Sequence, residues 1–502
     1  MNGRTGNAGE RETRPHVVII GAYGSAGVAV AEGLTPHIGE EIGRLTLVDD
    51  GEPGGGLCIL RGCMPSKEVL SAAQHRHQAR SDERLDGEPP GMDLASIVDR
   101  KDDHVAAFAR HRREAVRDLA DHDGVEFHRG TAAFLDDRTI LIDGTGEGDG
   151  EDTEGERDGE AGDNGTVIEA DYVAIATGSV PNRPSIPGLE GVDPARLYTS
   201  ADVLDATHLP DSGVVMGFGY VGLELVPYLA EAGVDLTVVE HDARPLDEAD
   251  PAFGDALLSL YREEFGVRIV TGASEERIDQ IDEGVRLGLD TGEAIEAEAA
   301  FLFTGRRPNL DALRLGNTTL SPESGWIDAT MRPPGAERTF VVGDANEREP
   351  ILHVAKEQGY HTAENILAHV RNEPLTPYRN VHHHVVFSGA GVYPFARVGH
   401  TEKSAQEAGY EIAVATRRAE NDGVFETKDV PHGLARLVVD ADDGTVLGYQ
   451  GLHYHADVMA KTMQVIVELG LDVRELPDRA YHPTTPEILD GLFRETAAEL
   501  GS

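Results

Sequence analysis

Runs of apolar residues separated by glycine-rich turns define the N-terminal half of the chain. The segment His16–Ile20 (HVVII) is almost wholly apolar, which predicts a strand buried on both faces. A glycine turn and apolar positions at helical spacing as far as Leu34 predict a helix, and Arg44–Asp50 (RLTLVDD) predicts a second strand that ends in acids. The same order of strand, glycine turn, helix and strand returns over Ser212–Leu246. The pattern therefore predicts two βαβ units with parallel strands.

The rest of the chain divides into helical, loop and mixed regions. We expect the first 15 residues to be disordered, and helices to fill much of Pro65–Asp123 apart from a polar stretch at Ser81–Gly91. Gly144–Gly165 is almost entirely Gly, Asp and Glu, which predicts a solvated loop between two strands. From about Val381 onwards, strand-like segments alternate with one helix-like run. Two βαβ units followed by this α+β region predict two dinucleotide-binding domains and an interface domain.

The composition adds a strong negative charge to this picture. Asp and Glu total 90 against 44 Lys and Arg, the formal net charge is −46, and only six of the cations are Lys. Acids spread along a whole Lys-poor chain are typical of halophilic proteins, because concentrated salt screens their mutual repulsion. The same charge argues against a nucleic-acid partner.

No segment of the sequence indicates a membrane protein or an exported protein. The start, MNGRTGNAGERETRP, is polar, and no stretch approaches the roughly 18 apolar residues that a membrane span requires. We therefore expect a soluble, cytoplasmic protein. Because that compartment is reducing, a lone pair of cysteines is expected to be redox-active or catalytic rather than structural.

The glycine turn of the second βαβ unit carries a complete dinucleotide fingerprint. Gly217, Gly219 and Gly222 follow a strand and open an amphipathic helix, whose N-terminus attracts a pyrophosphate. Glu240 ends the next strand and is placed to accept hydrogen bonds from a ribose 2′-hydroxyl. Because its charge repels a 2′-phosphate, Glu240 favours NADH over NADPH.

The glycine turn of the first βαβ unit is less regular. Its glycines have GxxGxxG spacing and stand at Gly21, Gly24 and Gly27. Either Tyr23 occupies the position of the second glycine of the usual fingerprint, or the turn is one residue longer. The preceding strand and the downstream acids still indicate a dinucleotide site, in which either Asp49 or Asp50 meets the ribose.

Cys58 and Cys63 are the only cysteines in the chain, and they stand five residues apart after a glycine-rich run. Taken alone, they suit small buried apolar residues, a disulfide whose short loop adds little stability, or half of a metal site. A redox pair needs an electron source. Two dinucleotide sites supply one, because a flavin accepts hydride from a nicotinamide and passes electrons on to sulfur.

Five short motifs span the chain from the cysteines almost to its end. They are GGLCILRGCMPSK around the cysteines, AIATGS (Ala174–Ser179), TGRRPN (Thr304–Asn309), VVGDA (Val341–Ala345) and YHPTTPE (Tyr481–Glu487). Together they resemble the pyridine nucleotide–disulfide oxidoreductase family of dihydrolipoyl dehydrogenase, glutathione reductase and mercuric reductase, whose active-site motif is GGTCxNxGCxPSK. The resemblance implies an FAD-dependent enzyme of the α/β class, with two Rossmann-like domains that bind FAD and NAD(P) and a C-terminal α+β dimerisation domain.

The family's organisation also implies boundaries for these domains. Residues 16–198 and 305–375 would bind FAD, residues 199–304 would bind NAD(P), and residues 376–502 would form the dimerisation domain of an obligate homodimer.

The family's catalytic roles carry over by motif position. Cys58 is implied to be the thiol that exchanges with the substrate disulfide, and Cys63 is implied to be the thiolate beside the flavin. Lys67 is implied to pair with Glu224 near flavin N5, while Tyr220 is implied to gate the nicotinamide pocket.

His482 is implied to be the acid/base for the exchanging thiol, oriented by Glu487, with both residues contributed by the partner subunit. An imidazole suits proton transfer near neutral pH, and a carboxylate can fix its orientation. Cys63 stands just before Pro65, a residue suited to a first helical turn, and a helix N-terminus lowers a thiol pKa. The other positions implied to bind cofactor are Thr177, Gly178, Asp344 and Ala345 for FAD, and Gly305 for NAD(P).

The identity of the small disulfide substrate stays open between two candidates. Without a third cysteine, the chain lacks the extra C-terminal pair expected of a mercuric reductase or of a thioredoxin reductase of this size. Glu240, the His482–Glu487 pair and the PSK form of the active-site motif favour a dihydrolipoyl dehydrogenase, which would serve a lipoyl domain of a 2-oxoacid dehydrogenase complex. Leu60 and Arg61 differ from the active-site motif of that enzyme, which has Asn at the position of Leu60. Arg61, as a substrate residue, favours a charged disulfide such as bis-γ-glutamylcystine.

Two further classes and one further site complete the alternatives. The intact cysteines and His482 argue against a diaphorase without a disulfide substrate. A non-catalytic flavoprotein would lack thiolate–flavin contact at Cys63. The run His382–His384 lacks an obvious fourth ligand, so we predict an exposed or interface strand there and no metal site.

Overall fold

The computed structural model of the protein describes residues 14–51, 54–144, 165–323 and 325–501. Most of the predicted disordered start and most of the predicted loop at Gly144–Gly165 lie outside these residues. The chain forms two compact units. The first comprises Met1–Leu60, Val105–Val180 and Arg306–Arg379, and the second comprises Arg61–His104, Pro181–Gly305 and Asn380–Ser502.

The α-helices of the described residues are α1 Ser25–Leu34, α2 Gly56–Leu60, α3 Cys63–Ser81, α4 Leu94–Ala120, α5 Ser200–Asp205, α6 Tyr220–Glu231, α7 Pro251–Glu264, α8 Leu352–Val370, α9 Glu402–Glu407, α10 Gly423–Thr427, α11 Ala456–Glu468 and α12 Glu487–Leu500.

The strands of the same residues are β1 His16–Ile20, β2 Arg44–Asp49, β3 Val125–Arg129, β4 Thr131–Phe134, β5 Thr139–Asp143, β6 Thr166–Glu169, β7 Tyr172–Ile175, β8 Ser179–Pro181, β9 Leu197–Tyr198, β10 Ser212–Met216, β11 Asp235–Glu240, β12 Arg268–Thr271, β13 Glu275–Ile281, β14 Gly284–Leu289, β15 Ala294–Ala297, β16 Ala299–Leu302, β17 Arg306–Pro308, β18 Thr339–Val341, β19 His383–Val386, β20 Phe395–Gly399, β21 Ile412–Arg418, β22 Leu434–Asp440 and β23 Val446–Leu452.

A five-stranded parallel sheet forms the centre of the first unit. Its strand order is β18-β7-β1-β2-β3, so β1 lies in the middle. The four residues of β1 that follow His16 are buried, as its unbroken apolar sequence predicts. Helices α1 and α8 pack against each other, and a three-stranded antiparallel sheet, β4-β5-β6, completes the unit. Because ligands of such sheets bind where the strand order reverses, the turn after β1 lies at the expected binding edge.

The second unit repeats this arrangement and adds an antiparallel sheet. The parallel sheet has the order β12-β11-β10-β16-β9, with β10 in the place that β1 occupies in the first unit. The sheet β13-β14-β15 is antiparallel. At the C-terminal end, the five strands β19-β20-β23-β22-β21 form an antiparallel sheet that α11 and α12 cover.

The two parallel sheets and the C-terminal α+β region confirm the predicted fold class, whereas the predicted domain boundaries stay a prediction. Among the helices of the described residues, none has both the length and the apolar character that crossing a membrane demands.

Candidate active site

The two glycine turns differ in length by one residue. Helix α6 starts at Tyr220 with Gly219 as its N-cap, two residues after Gly217. Helix α1 starts at Ser25 with Gly24 as its N-cap, three residues after Gly21. The first turn is therefore one residue longer than the second, which decides between the two alternatives that the sequence leaves open.

Both turns are closed by the same backbone contact, and only glycine allows it. Gly21 and Gly217 have φ values of +95° and +94°. A Cβ on Gly27 would lie 2.2 Å from the carbonyl oxygen of Gly21, and a Cβ on Gly222 would lie 2.7 Å from that of Gly217. Each helix thus packs directly on the start of its turn, and its first-turn N–H groups stay available to a phosphate.

An acid at the end of the second strand ties each turn to the sheet. Asp49 accepts hydrogen bonds from the backbone N–H groups of Tyr23 (2.8 Å) and Gly51 (2.7 Å). Burial raises the pKa of Asp49, although these two hydrogen bonds act in the opposite direction. Asp50 is exposed and accepts from the hydroxyl of Thr131 instead. The structure therefore places Asp49, rather than Asp50, against the first turn.

Glu240 has the corresponding position in the second turn. It is buried and accepts hydrogen bonds from the backbone N–H groups of Phe218 (2.8 Å) and Asp242 (3.0 Å). A fixed negative charge therefore lies where the ribose of a bound dinucleotide is expected.

The glycine-rich run before the cysteines crosses the first turn. A Cβ on Gly54, whose φ is +74°, would lie 2.9 Å from the ring of Tyr23, and a Cβ on Gly56 would lie 2.9 Å from the Cα of Gly24. The ring of Tyr23 also packs on Phe127, with centroids 5.3 Å apart. The segment that leads to Cys58 thus lies close against Tyr23 and Gly24 of the first turn.

The residues of the first unit fit a flavin dinucleotide. The hydroxyl oxygen of Thr177 is buried and has no hydrogen-bond partner among the described residues, so a polar ligand would satisfy it. Asp344 accepts a hydrogen bond from Ser179 (2.6 Å), and Ala345 is buried beside it. Gly178 accepts from the backbone N–H of Asn309, which joins two of the motifs. The glycine cradle, an unsatisfied hydroxyl and a fixed carboxylate are together suited to a pyrophosphate and a ribityl chain.

Gly305 lies between β16 and β17. Its carbonyl oxygen accepts a hydrogen bond from the backbone N–H of Asn182, and its φ is +85°. The neighbouring Thr304 hydroxyl donates to the carbonyl oxygen of Asn182 at 3.0 Å.

The two cysteines lie in consecutive helices. Cys58 is half-buried within α2, and Cys63 is exposed as the first residue of α3, with Gly62 as the N-cap. The N–H groups of a first helical turn favour a thiolate, so the position of Cys63 agrees with the thiolate role predicted for it. Arg61, the predicted substrate residue, is exposed and lies between α2 and α3 in the sequence.

Helix α3 also carries the predicted lysine. Lys67 Nζ lies 2.7 Å from Glu224 Oε2, on α6, and 4.4 Å from the ring centroid of Phe387. The other oxygen of Glu224 accepts from the backbone N–H of Phe387 at 3.1 Å. The structure thus brings together the Lys67–Glu224 pair that the sequence predicts.

The predicted acid/base pair also meets in the structure. His482 Nδ1 lies 3.0 Å from Glu487 Oε2, and the His482 side chain is 79% exposed. Hydrogen bonds from His482 and from the backbone of Thr484 hold the pKa of Glu487 below its usual value. Because an ionised carboxylate only accepts, Nδ1 carries the proton and Nε2 is left to exchange one.

Two residues near these sites belong to none of the motifs in the sequence. His455, which precedes α11 with a φ of +69°, has Nδ1 3.1 Å from the hydroxyl of Thr485, beside the acid/base loop. Glu248 accepts a hydrogen bond from the hydroxyl of Tyr220 at 2.7 Å. Their partners lie 30 and 28 residues away in the chain, so local spacing could not predict either contact.

The histidine run occupies the start of β19. His382 Nε2 lies 2.8 Å from His384 Nδ1, and the ring of His384 packs on Tyr220 with centroids 5.3 Å apart. The side chain of His384 is buried, so the predicted exposed or interface strand is wrong for this residue, which is enclosed by Tyr220 and Phe395 of the same unit.

Comparison with known proteins identifies two family models in this chain. Residues 15–359 match the model described as pyridine nucleotide-disulphide oxidoreductase, and residues 385–492 match the dimerisation domain of the same family. The second match supports the predicted homodimer.

Similar curated proteins include a dihydrolipoyl dehydrogenase 2 of Haloarcula marismortui, which is 29% identical over 95% of this chain and 96% of its own length. A mercuric reductase of Bacillus cereus is 27% identical over 91% of this chain and 68% of its own. The haloarchaeal relatives confirm the predicted halophilic character.

Similar solved structures include the HOCl-induced flavoprotein disulfide reductase RclA of Escherichia coli and LpdA of Mycobacterium tuberculosis. Each has a TM-score of 0.78 and 22% identity, and each match covers 96% of this chain and all of the other. At this identity the likeness shows the fold. The chain belongs to the pyridine nucleotide-disulphide oxidoreductase family and is an FAD-dependent enzyme that uses a pyridine nucleotide.

Proposed function

We propose that the protein moves electrons between a nicotinamide nucleotide, FAD and a Cys58–Cys63 disulfide, and exchanges them with a small dithiol or disulfide as a dihydrolipoyl dehydrogenase does. One observation carries the proposal. Helix α3 begins at Cys63 and carries Lys67 one turn later. Lys67 forms an ion pair with Glu224 on α6, the helix that starts at the nucleotide fingerprint. Of these two contacting helices, one therefore starts at a cysteine and the other starts at a dinucleotide fingerprint.

The proposed chemistry assigns a step to each side chain. The turn at Gly21–Gly27 would hold FAD, which, when bound, would supply the conversion of a nicotinamide hydride into an electron pair for sulfur. In the reduced pair, Cys63 is a thiolate and Cys58 is a thiol. The Cys58 thiol gives its proton to His482 of the partner subunit. The Cys58 thiolate attacks the substrate disulfide and forms a mixed disulfide, and the first substrate thiolate leaves with the proton from the imidazole. The Cys63 thiolate then attacks Cys58, restores the protein disulfide and releases the second substrate sulfur as a thiolate, which takes a proton from solvent.

This assignment is tested by partial reduction of the FAD-loaded protein. Contact between a Cys63 thiolate and the flavin gives a charge-transfer band on the long-wavelength side of the flavin absorption. We expect the band in the natural protein and in Cys58→Ser, and expect Cys63→Ser to lack it. A band that persists in Cys63→Ser would refute the assignment, and no band in the natural protein would indicate a non-catalytic flavoprotein.

For the substrate, we propose the lipoyl group of a 2-oxoacid dehydrogenase complex, with NADH favoured over NADPH. The haloarchaeal relatives named as dihydrolipoyl dehydrogenases and the buried charge of Glu240 support this choice. The second candidate, a reductase of bis-γ-glutamylcystine, is favoured by Arg61, an exposed cation next to the thiols.

One assay in molar KCl separates the candidates. Dihydrolipoamide-driven reduction of NAD⁺ is compared with oxidation of NADH and NADPH by bis-γ-glutamylcystine. The lipoyl proposal predicts rapid turnover of dihydrolipoamide alone and little change in Arg61→Gln. Rapid reduction of the charged disulfide, with a higher KM in Arg61→Gln and no change in the control Arg183→Gln, would establish the second candidate.

A further inference from the structure

The loop that carries His482 is bonded to α12, the helix that follows it. Glu487, the first residue of α12, accepts from the backbone N–H of Thr484 at 2.8 Å while its carboxylate contacts His482 Nδ1. The backbone N–H of Ala480 donates to Asp490 Oδ2, also on α12, at 2.5 Å. Contacts of this kind restrain the loop relative to its own helix, and not relative to a second element.

His455 supplies a contact from a second element. Its Nδ1 lies 3.1 Å from the hydroxyl of Thr485, whose side chain is buried. His455 is half-buried and is the N-cap of α11, so the start of that helix fixes its backbone. Its ring also stacks on the ring of Tyr454, with centroids 3.8 Å apart and planes inclined at 29°. The fixed backbone and the stacked ring together restrict the positions that Nδ1 can take.

The residues before His455 extend this restraint into the core of the second unit. The buried His453 has Nδ1 2.9 Å from the carbonyl oxygen of Tyr454 and Nε2 2.9 Å from the hydroxyl of Tyr449, on β23. Burial lowers the pKa of His453 to about 4, so the ring is neutral near pH 7 and carries one proton. Because a carbonyl oxygen only accepts, that proton is on Nδ1, and Nε2 accepts from Tyr449. Hydrogen bonds and ring contacts therefore connect β23 to Thr485.

We propose that His455 is a positioning residue, whose contact with Thr485 holds the loop of residues 480–486 so that His482 keeps the orientation in which Nε2 exchanges a proton with a thiol. The inference rests on the proposed function, because it requires that His482 is the acid/base for Cys58. A proton-transferring group must be held within hydrogen-bond distance of its partner, and a small misplacement lowers the rate. His455 itself needs no contact with the reacting sulfur.

The test compares two single-turnover reactions of the FAD-loaded protein in molar KCl. Reduction of the flavin by dihydrolipoamide requires thiol exchange, whereas reduction by NADH does not. The variant is His455→Gly, because glycine accepts the φ of +69° without strain. The matched control is His400→Ala, which removes another half-buried histidine whose Nδ1 lies 3.1 Å from a hydroxyl, that of Ser404.

We expect His455→Gly to lower the maximal rate with dihydrolipoamide about fivefold, the effect of one hydrogen bond, at an unchanged half-saturating concentration. The rate with NADH should not change, and the control should match the natural protein in both reactions. His455→Asn should restore most of the lost rate, because Asn tolerates a positive φ and its side-chain amide offers a partner to the Thr485 hydroxyl. Thr485→Val, which removes that hydroxyl, should reproduce the loss.

A second background shows whether the effect passes through His482. In His482→Gln, where no imidazole remains to be positioned, His455→Gly should cause no further loss. No loss in His455→Gly, equal losses in the two backgrounds, an equal loss of rate with NADH, or no rescue by His455→Asn would overturn the inference and leave the proposed function intact. If His482→Gln is as fast as the natural protein, or if dihydrolipoamide does not reduce the flavin of the natural protein, the proposed function fails and the inference fails with it.

Discussion

Replacing Glu231 with glutamine should destabilise the second unit strongly. Glu231 ends α6, and its side chain is only 2% exposed. Its carboxylate accepts hydrogen bonds from three residues of α3, which are Arg76, His77 at 3.1 Å and Arg80 at 2.9 Å. Glu231→Gln keeps the shape of the side chain and removes the charge, so that the two arginines lose their counterion.

The magnitude follows from the pKa of the carboxyl group. Burial raises the pKa of Glu231, but the hydrogen bonds from His77, Arg80 and Arg76, together with the charge of Arg80, outweigh it and lower the pKa from 4.5 to about 2. At about 1.4 kcal/mol per pKa unit, this difference corresponds to about 3 kcal/mol. Because the folded pKa is depressed, the contribution is fully present above pH 4.5 and is lost as the pH falls towards about 2. The variant should therefore differ most from the natural protein near neutral pH.

Thermal unfolding of the FAD-loaded protein in molar KCl provides the assay. A loss of about 3 kcal/mol should lower the unfolding temperature of a unit of this size by about 5 to 10 °C at pH 7, and by less at pH 4. Glu296→Gln is the control, because Glu296 pairs with Arg286 on the exposed face of a hairpin and such pairs contribute about 0–1 kcal/mol. Equal shifts for the two variants, or a larger shift at pH 4 than at pH 7, would refute the reasoning.

Three further predictions concern the site itself. Gly27→Ala should lose most of its FAD, because the new Cβ meets a backbone oxygen at 2.2 Å, whereas the control Gly91→Ala, whose new Cβ would meet nothing within 4 Å, should retain FAD; flavin absorbance per chain measures both. His482→Gln should lower kcat for disulfide exchange about 10²- to 10⁴-fold while flavin reduction by NADH in a single turnover is unchanged; slower flavin reduction would contradict a role in thiol chemistry. Glu487→Gln, which replaces a carboxylate that only accepts by an amide that can also donate to Nδ1, should lower kcat for disulfide exchange and leave flavin reduction by NADH unchanged; an unchanged kcat would contradict the pairing.

The sequence predicts those parts of the molecule in which neighbouring residues determine the structure. The unbroken apolar run of β1 and the glycine spacing of the second turn each depend on a few adjacent positions, and the structure has both as predicted. The same holds for the start of α3, where Cys63 and Pro65 stand in the first turn.

Contacts between distant segments were predicted only where a family motif indicates them. The Lys67–Glu224 pair spans 157 residues, and no periodicity in this chain relates the two positions. The contacts of Glu248 and His455 follow no motif that the sequence displays, so neither was predicted. His384 was predicted to be exposed or at an interface because the histidine run lacks an obvious fourth metal ligand, while its burial involves Tyr220 of α6, far away in the chain.

The enclosed ring of Tyr23 has an evolutionary consequence. The ring of Tyr23 occupies the space that a side chain at position 54 would need, since a Cβ there would lie 2.9 Å from the ring. Substitutions at the two positions should therefore show epistasis. In a library that varies both, Asn or Asp at position 54, which tolerate its φ of +74°, should be recovered mainly together with small residues at position 23. A lineage that replaced Tyr23 by a small residue would admit Asn or Asp at position 54, whereas one that keeps Tyr23 is confined to glycine.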